Sequence, residues 1–359
     1  MAELKNIAIL GAGITGRLLA TGLGARGHRV RVFEQAPEGD RQGCSFTAAG
    51  MLTPFSELET AEPIIAEIGL HSLSIWADLV GELPSVPFEK KGSLIVAPAS
   101  HPEELDHFLA RLQSHPASQK EFRLLDRDEL VGSEGELGAR FDRALALYPE
   151  AVIHTGAVMD ALKDRADRLG IDFFFNSHVT NVGPGCFTVG DNELFADLVV
   201  DCRGLGARPD LPDLRGVRGE IAFVHAPGVQ LSRPVRFLHP RYPVYIVPRG
   251  PGEFAIGATS LESEDQGPVS VRSAVELLTA AWTVHPGFAE ARITELRTGL
   301  RPALPDHLPL CQAGKGLIRL NGMYRHGYLL GPALTAAVMD LVDGGDPPEY
   351  LQPVFRHTL

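Results

Sequence analysis

The chain of 359 residues holds only four cysteines, Cys44, Cys186, Cys202 and Cys311, and no two of them form a C-x-x-C pair. That spacing excludes a zinc ribbon and a dithiol redox motif, so no metal site is expected. Four scattered thiols suit free cysteines in a reducing compartment, and a cytoplasmic protein is expected. Basic residues are the scarcer charge: 33 Lys and Arg stand against 45 Asp and Glu, a net charge of −12. Such a balance disfavours a nucleic-acid backbone as partner. No run of about 18 apolar residues is present, which argues against a membrane span. The N-terminal apolar stretch is too short for a signal segment and leads straight into a glycine turn. Internal repeats, low-complexity tracts and Gly/Ser linkers are also missing. What remains is ordinary globular composition, 44% hydrophobic and 22% charged, at a length that suits two domains.

The richest local signal lies at the start. Ile7-Ala8-Ile9-Leu10 reads as a buried parallel strand, and Gly11-x-Gly13-x-x-Gly16 follows it directly. Gly11 permits a tight turn, Gly13 lets backbone approach a pyrophosphate, and Gly16 lets the next helix pack close. That helix, expected over 15–26 and beginning near Ile14 and Thr15, aims its free N–H groups at the phosphates. A second strand over 28–33 ends at Glu34, placed to accept hydrogen bonds from a ribose diol. Strand, turn, helix, strand and acid in this order predict a dinucleotide site.

The pattern then scatters. Small residues at Thr47-Ala48-Ala49-Gly50 allow close backbone approach to a flat ligand. Apolar spacing at Ile64, Ile65, Ile68, Leu70, Leu73 and Trp76 predicts a helix over 61–80. A helix over 156–169, a strand over 172–175 and an extended piece over 178–182 follow. Strands over 196–201 and 317–321 each run into glycines, the second before a long apolar helix. Between these lie strands punctuated by Pro and Gly, over 92–97, 219–225, 244–248 and 254–257, with a helix over 270–284. The expected fold is α/β: a discontinuous Rossmann-like cofactor domain (1–84, 151–210 and 298–359) plus an α+β substrate domain with a mostly antiparallel sheet (85–150 and 211–297).

These blocks, in this order, resemble the flavin-dependent amine and amino-acid oxidases of the D-amino-acid oxidase group, in particular the glycine oxidases associated with thiamine synthesis. Besides the glycine turn and Glu34, the resemblance rests on Thr47-Ala48-Ala49-Gly50-Met51-Leu52 and Val217-Arg218-Gly219-Glu220. It continues through Tyr245-Ile246-Val247-Pro248-Arg249 with Ile256-Gly257-Ala258-Thr259, then Gly299-Leu300-Arg301-Pro302 with Asp306, and ends at Arg325-His326-Gly327. It covers nearly the whole chain.

The resemblance implies non-covalent FAD. Its adenine and pyrophosphate end would meet Gly11, Gly13, Ile14, Thr15, Gly16, Glu34 and Gln35, with Val179 beside the adenine. Its ring would lie near Thr47 to Met51, and further contacts fall on Cys202, Arg203, Gly204, Arg301 and Arg325 to Leu329 (His326, Gly327 and Tyr328 between). The last helix, expected to start near Pro332, would point its positive end at the flavin. The implied reaction is oxidative deamination of glycine or another small amino acid, by hydride transfer from Cα to flavin N5, with oxygen as expected acceptor. Arg301 matches the carboxylate-binding position, Tyr245 the tyrosine that supports it, and Arg325 the arginine bordering the cavity. No side chain need act as general base.

Each role has a plainer competitor. Arg301 could pair with Asp306, Tyr245 could be core, and Arg325 could pair with a surface acid. His239 is a further cavity candidate, and Phe55-Ser56-Glu57-Leu58-Glu59 reads as a lid or as an exposed acidic turn. Two departures, Arg297 where the family often has tryptophan and Met323 where it has histidine, are expected on the substrate side. They motivate one alternative, a flavoprotein that matures a protein partner, such as one carrying a peptide-derived quinone; a dehydrogenase with another acceptor is a second, because nothing in the sequence fixes the acceptor.

Overall fold

Alternation along the first strand decides the layering. In the computed structural model, which describes residues 3–118 and 121–356, Asn6–Leu10 is an interior strand of a seven-stranded sheet. Ile7 and Ile9 point to a helical layer, whereas Ala8 and Leu10 point to the opposite face. All four are fully buried, as a strand covered on both sides requires. Asn6–Leu10 pairs in parallel with Arg29–Phe33 on one side and Leu198–Asp201 on the other. Asp172–Phe174 and Leu317–Asn321 extend the parallel set outward. A hairpin strand, Leu310–Gly314, and the short Phe355–Arg356 complete the sheet. Helices Ile14–Ala25, Pro63–Gly81, Thr155–Arg168 and Gly327–Val342 cover one face. The three-stranded sheet of Val179–Gly183, Cys186–Val189 and Asn192–Phe195 covers the other.

The second sheet has eight strands, and every neighbouring pair is antiparallel except Val235–Phe237 with Ser93–Val96. Helix Val271–Val284 packs Leu277, Ala281 and Val284 against one face of it. A patch of the sheet made by Ile221, Val247 and Ala255 meets Ala49 of the first domain. Residues 298–303, expected with the cofactor domain, continue the edge strand Arg292–Ala303 of this second sheet. The expected domain ranges also contain 1–2, 119–120 and 357–359, which lie outside the described residues.

The last helix starts at Gly327, not near Pro332, so the proline sits inside it rather than in its first turn. Pro332 cannot donate to the carbonyl of Tyr328, one turn earlier. The indole N–H of Trp76 donates to that carbonyl instead, at 2.8 Å, and so satisfies it. Trp76 belongs to Pro63–Gly81, a helix apolar and long enough to cross a membrane by length and composition. Here its stripe of Ile65, Ile68, Leu73 and Trp76 is buried in the core that it shares with Gly327–Val342.

Candidate active site

A cavity of about 970 Å³ runs between the two sheets, from Glu34 at one end to Tyr242 at the other. At its first end the glycines leave no room for side chains. Gly11 has φ +98°, and a Cβ there would lie 2.6 Å from the Cys202 carbonyl oxygen. A Cβ on Gly16 would lie 2.0 Å from the Gly11 carbonyl oxygen. Helix Ile14–Ala25 therefore begins directly beside the turn, with its first amides at the cavity. Glu34 accepts the Ala12 N–H at 2.7 Å and the Ala36 N–H at 3.0 Å, which holds its carboxylate at the cavity wall. Ser45 Oγ accepts the Ile14 N–H at 3.0 Å and ties the turn of Cys44–Thr47 to the glycine loop. Gly50, at φ +76°, brings that segment against the Ile153 carbonyl, where a Cβ would clash at 1.9 Å. A glycine cradle, a helix start and a fixed acid suit a pyrophosphate and a ribose diol.

Among the residues expected at a cofactor, Gly16 and Val179 do not line this cavity. Gly16 acts through packing. The Val179 carbonyl is occupied by Arg203 Nη1 at 3.1 Å, and the Arg203 guanidinium is otherwise engaged by Asp201 and Asp210. Gly11, Gly13, Ile14, Thr15, Glu34, Gln35, the 47–51 segment, Cys202, Arg203, Gly204 and the 325–329 segment all line it.

The other end is built by the second sheet. Arg301 projects from Arg292–Ala303 across Gly219, where a Cβ would lie 2.3 Å from the guanidinium. It donates to the Thr259 carbonyl at 2.9 Å. No carboxylate of the described residues lies in ion-pair range of it. Asp306, the expected competitor, instead accepts the Leu308 N–H. Tyr245 lies across Gly257 on the neighbouring strand, its hydroxyl 2.8 Å from where a Cβ would be. Burial pushes its phenol pKa up, so it is a proton donor.

Arg325 and His326 meet a partner that the sequence hid. Arg325 Nε lies 2.9 Å from Glu57 Oε2, His326 Nδ1 lies 3.6 Å from the same oxygen, and Arg236 approaches Glu57 at 3.9 Å. Arg325 also donates to Thr60 Oγ1. Burial alone would raise the Glu57 carboxyl, but Arg325, His326 and Arg236 outweigh it and pull its pKa to about 2. Burial pushes His326 down to about 4 against the opposing pull of Glu57, so its imidazole is neutral near pH 7. The segment 55–59 is neither a lid nor an exposed turn: Phe55 and Ser56 are fully buried and Leu58 nearly so. Glu150 anchors it from behind, accepting the Ser56 N–H and hydroxyl at 2.7 Å each, and the Ser93 hydroxyl. A charged residue inside the apolar run Val235-Arg236-Phe237 was the one sequence sign of this network.

Burial pushes Glu150 up to about 7, against the hydrogen bonds from Ser93 and Ser56. A carboxyl whose folded pKa is raised stabilises most below its ordinary value near 4.5 and loses that contribution as pH rises to about 7. Denaturant unfolding at about pH 5 and about pH 8 should show Glu150→Gln losing less stability with rising pH than the parent. Equal losses in both proteins would remove Glu150 from the pH dependence.

Three expectations need correction. His239 does not line the cavity: its Nδ1 accepts the Arg241 and Tyr242 N–H groups, and its ring stacks on Tyr242. Arg297 also lies outside, paired with Glu295 and placed over the Phe223 ring at 4.8 Å. Met323 lines the cavity on the side of the glycine turn, with its sulfur 3.7 Å from Thr15 Oγ1. Among the described residues no group of three or more His, Cys, Asp or Glu side chains could hold a metal ion.

Such an arrangement is that of a dinucleotide-dependent enzyme whose cofactor and substrate meet between two domains. Residues 6–341 match the FAD dependent oxidoreductase family, DAO, and the chain belongs to it. It is 39% identical to a protein of Rhizobium etli named for a thiamine biosynthesis oxidoreductase, ThiO, over 95% of this chain and 98% of that one. It is 28% identical to the glycine oxidase of Geobacillus kaustophilus, over 98% and 97% of the two chains. The crystal structure of glycine oxidase from Geobacillus kaustophilus superposes with a TM-score of 0.85 at 25% identity, covering 99% of each chain. The protein is an FAD-dependent oxidoreductase similar to the glycine oxidases.

Proposed function

We propose that the protein oxidatively deaminates glycine or another small amino acid, with oxygen as the acceptor that restores FAD. The observation that carries this reading is Arg301, a cavity arginine with no carboxylate partner among the described residues, beside the Tyr245 phenol. Its planar fork suits a substrate carboxylate held by two parallel hydrogen bonds. Tyr245, on Val244–Gly250 of the same sheet, donates a further one. Bound FAD supplies the two-electron oxidant for the Cα–H.

The protein's part is binding and orientation. Glu57 is committed to Arg325 and His326, and His326 is neutral and buried. Neither is placed to take a proton from substrate, so the amine must react in its neutral form. The product imine is hydrolysed by water to an oxo acid and ammonia. Helix Gly327–Val342 starts at the cavity, and its positive end favours negative charge developing there. The four free cysteines suit a reducing cytoplasm.

Anaerobic mixing with glycine, sarcosine, D-alanine, D-proline and the L-counterparts tests the reading. Bleaching of the oxidised flavin band, reversed by air with release of peroxide, is the expected result. Reversal only by a quinone would replace oxygen with another acceptor. A bound, oxidised flavin untouched by every small amino acid would sink the proposal and direct attention to a larger amine or a protein partner.

A further inference from the structure

We propose that Glu57 restricts this cavity to substrates with a single carboxylate, because it neutralises Arg325 and leaves Arg301, among the described residues, as the one sheltered cation on the substrate side free to take an anion. This rests on the reading of the site as an amino-acid pocket and adds which acids it refuses.

The cations at the substrate end divide by partner. Arg325 is held by Glu57 at 2.9 Å, and Arg236 is shared between Glu57 and Glu59. Arg272, at the mouth, is paired with Glu276 at 2.9 Å. Arg241 has no carboxylate partner among the described residues, but it is exposed at the rim, where water and salt screen its charge. Among the described residues at this end, Arg301 alone is both sheltered and uncompensated. A substrate bearing a second carboxylate would bring it towards Arg325 and meet the Glu57 carboxylate already there. Like charges in a partly dry cavity repel, and the second carboxylate would lose its hydration without a free cation in return.

The turn that carries Glu57 is fixed, and its carboxylate is paired with Arg325. That turn, Ser56–Glu59, is pinned by Phe55 and Leu58 in the core and by Glu150 on the Ser56 N–H and hydroxyl. With a pKa of about 2 the carboxylate stays charged throughout the neutral range. Glu57 thus acts on the substrate through Arg325, as a residue that sets the charge the cavity accepts.

The test compares sarcosine with iminodiacetate, which is sarcosine carrying one more carboxylate, in the FAD-loaded protein. Acetate and malonate serve as unreactive probes, read by perturbation of the flavin spectrum and by calorimetry. The parent protein should favour sarcosine over iminodiacetate by tenfold or more in kcat/KM, and acetate over malonate in affinity. Glu57→Gln should narrow both preferences by about tenfold, through KM for iminodiacetate rather than kcat. Glu57→Asp should restore the discrimination. Equal use of both substrates by the parent overturns the inference even if no variant folds, and so does a Glu57→Gln protein with unchanged preferences. If the parent neither binds acetate nor turns over sarcosine, the amino-acid reading fails, and this inference fails with it.

Discussion

Arg301→Ala is expected to lower kcat/KM for a small amino acid by two to four orders of magnitude while FAD remains bound. The side chain lies in a gap above Gly219 and makes one internal hydrogen bond, to the Thr259 carbonyl, so its charge is uncommitted in the free protein. Removing one partner of a sheltered charge-assisted pair costs about 3–5 kcal/mol. At about 1.36 kcal/mol per tenfold, that gives the stated range. Arg301→Lys should fall between, since an ammonium keeps the charge but not the fork. FAD content should hold, because the glycine turn and Glu34, which would hold its pyrophosphate and ribose, are left untouched. Steady-state kinetics with flavin absorbance per chain checks both halves. A variant with normal turnover would take Arg301 out of the site.

Gly16→Ala is expected to release FAD and destabilise the fold. The added Cβ would stand 2.0 Å from the Gly11 carbonyl oxygen, and backbone cannot rotate away as a flexible side chain can. Helix Ile14–Ala25 would have to lift off the turn, at a cost of about 1–3 kcal/mol typical of overpacking. The amides at its start would then miss the pyrophosphate, and a loss of only about 1.4 kcal/mol there is already tenfold in affinity. Gly132→Ala is the matched control. Gly132 lies in helix Arg127–Ser133 with nothing within 4 Å of a new Cβ, so alanine should stabilise by about 0.5–1 kcal/mol. Thermal melts and flavin-to-protein absorbance ratios report both outcomes. A Gly16→Ala protein with full flavin content and an unchanged melt would contradict the packing argument.

How much of this was legible beforehand depends on the range of the interaction. The strand at 7–10, the glycine turn and the acid at 34 were readable because each residue type reports its own backbone or its immediate neighbour. Arg301 and Tyr245 were readable only through their surrounding blocks, since nothing local says that a strand arginine lacks a partner. Pro332 misled because proline suits a first helical turn. Its actual place depends on Trp76, 252 residues away in sequence from the Tyr328 carbonyl that it satisfies. The boundary at 298 misled because an edge strand can continue past the point where its motif begins.

The acidic turn was the largest gap. Ser-Glu-Leu-Glu carries every local mark of a solvated loop, yet it is the buried hub of the substrate end. Its partners come from far along the chain: Arg236 reaches Glu59 across 177 positions and Arg325 reaches Thr60 across 265. By itself the sequence determined the α/β class and the glycine turn with its acid, because periodicity and glycine placement act over a few residues. Only the tertiary structure decided which cations are neutralised and which is left free. Charge compensation depends on distance and burial, and folding sets both between residues that are remote in the chain.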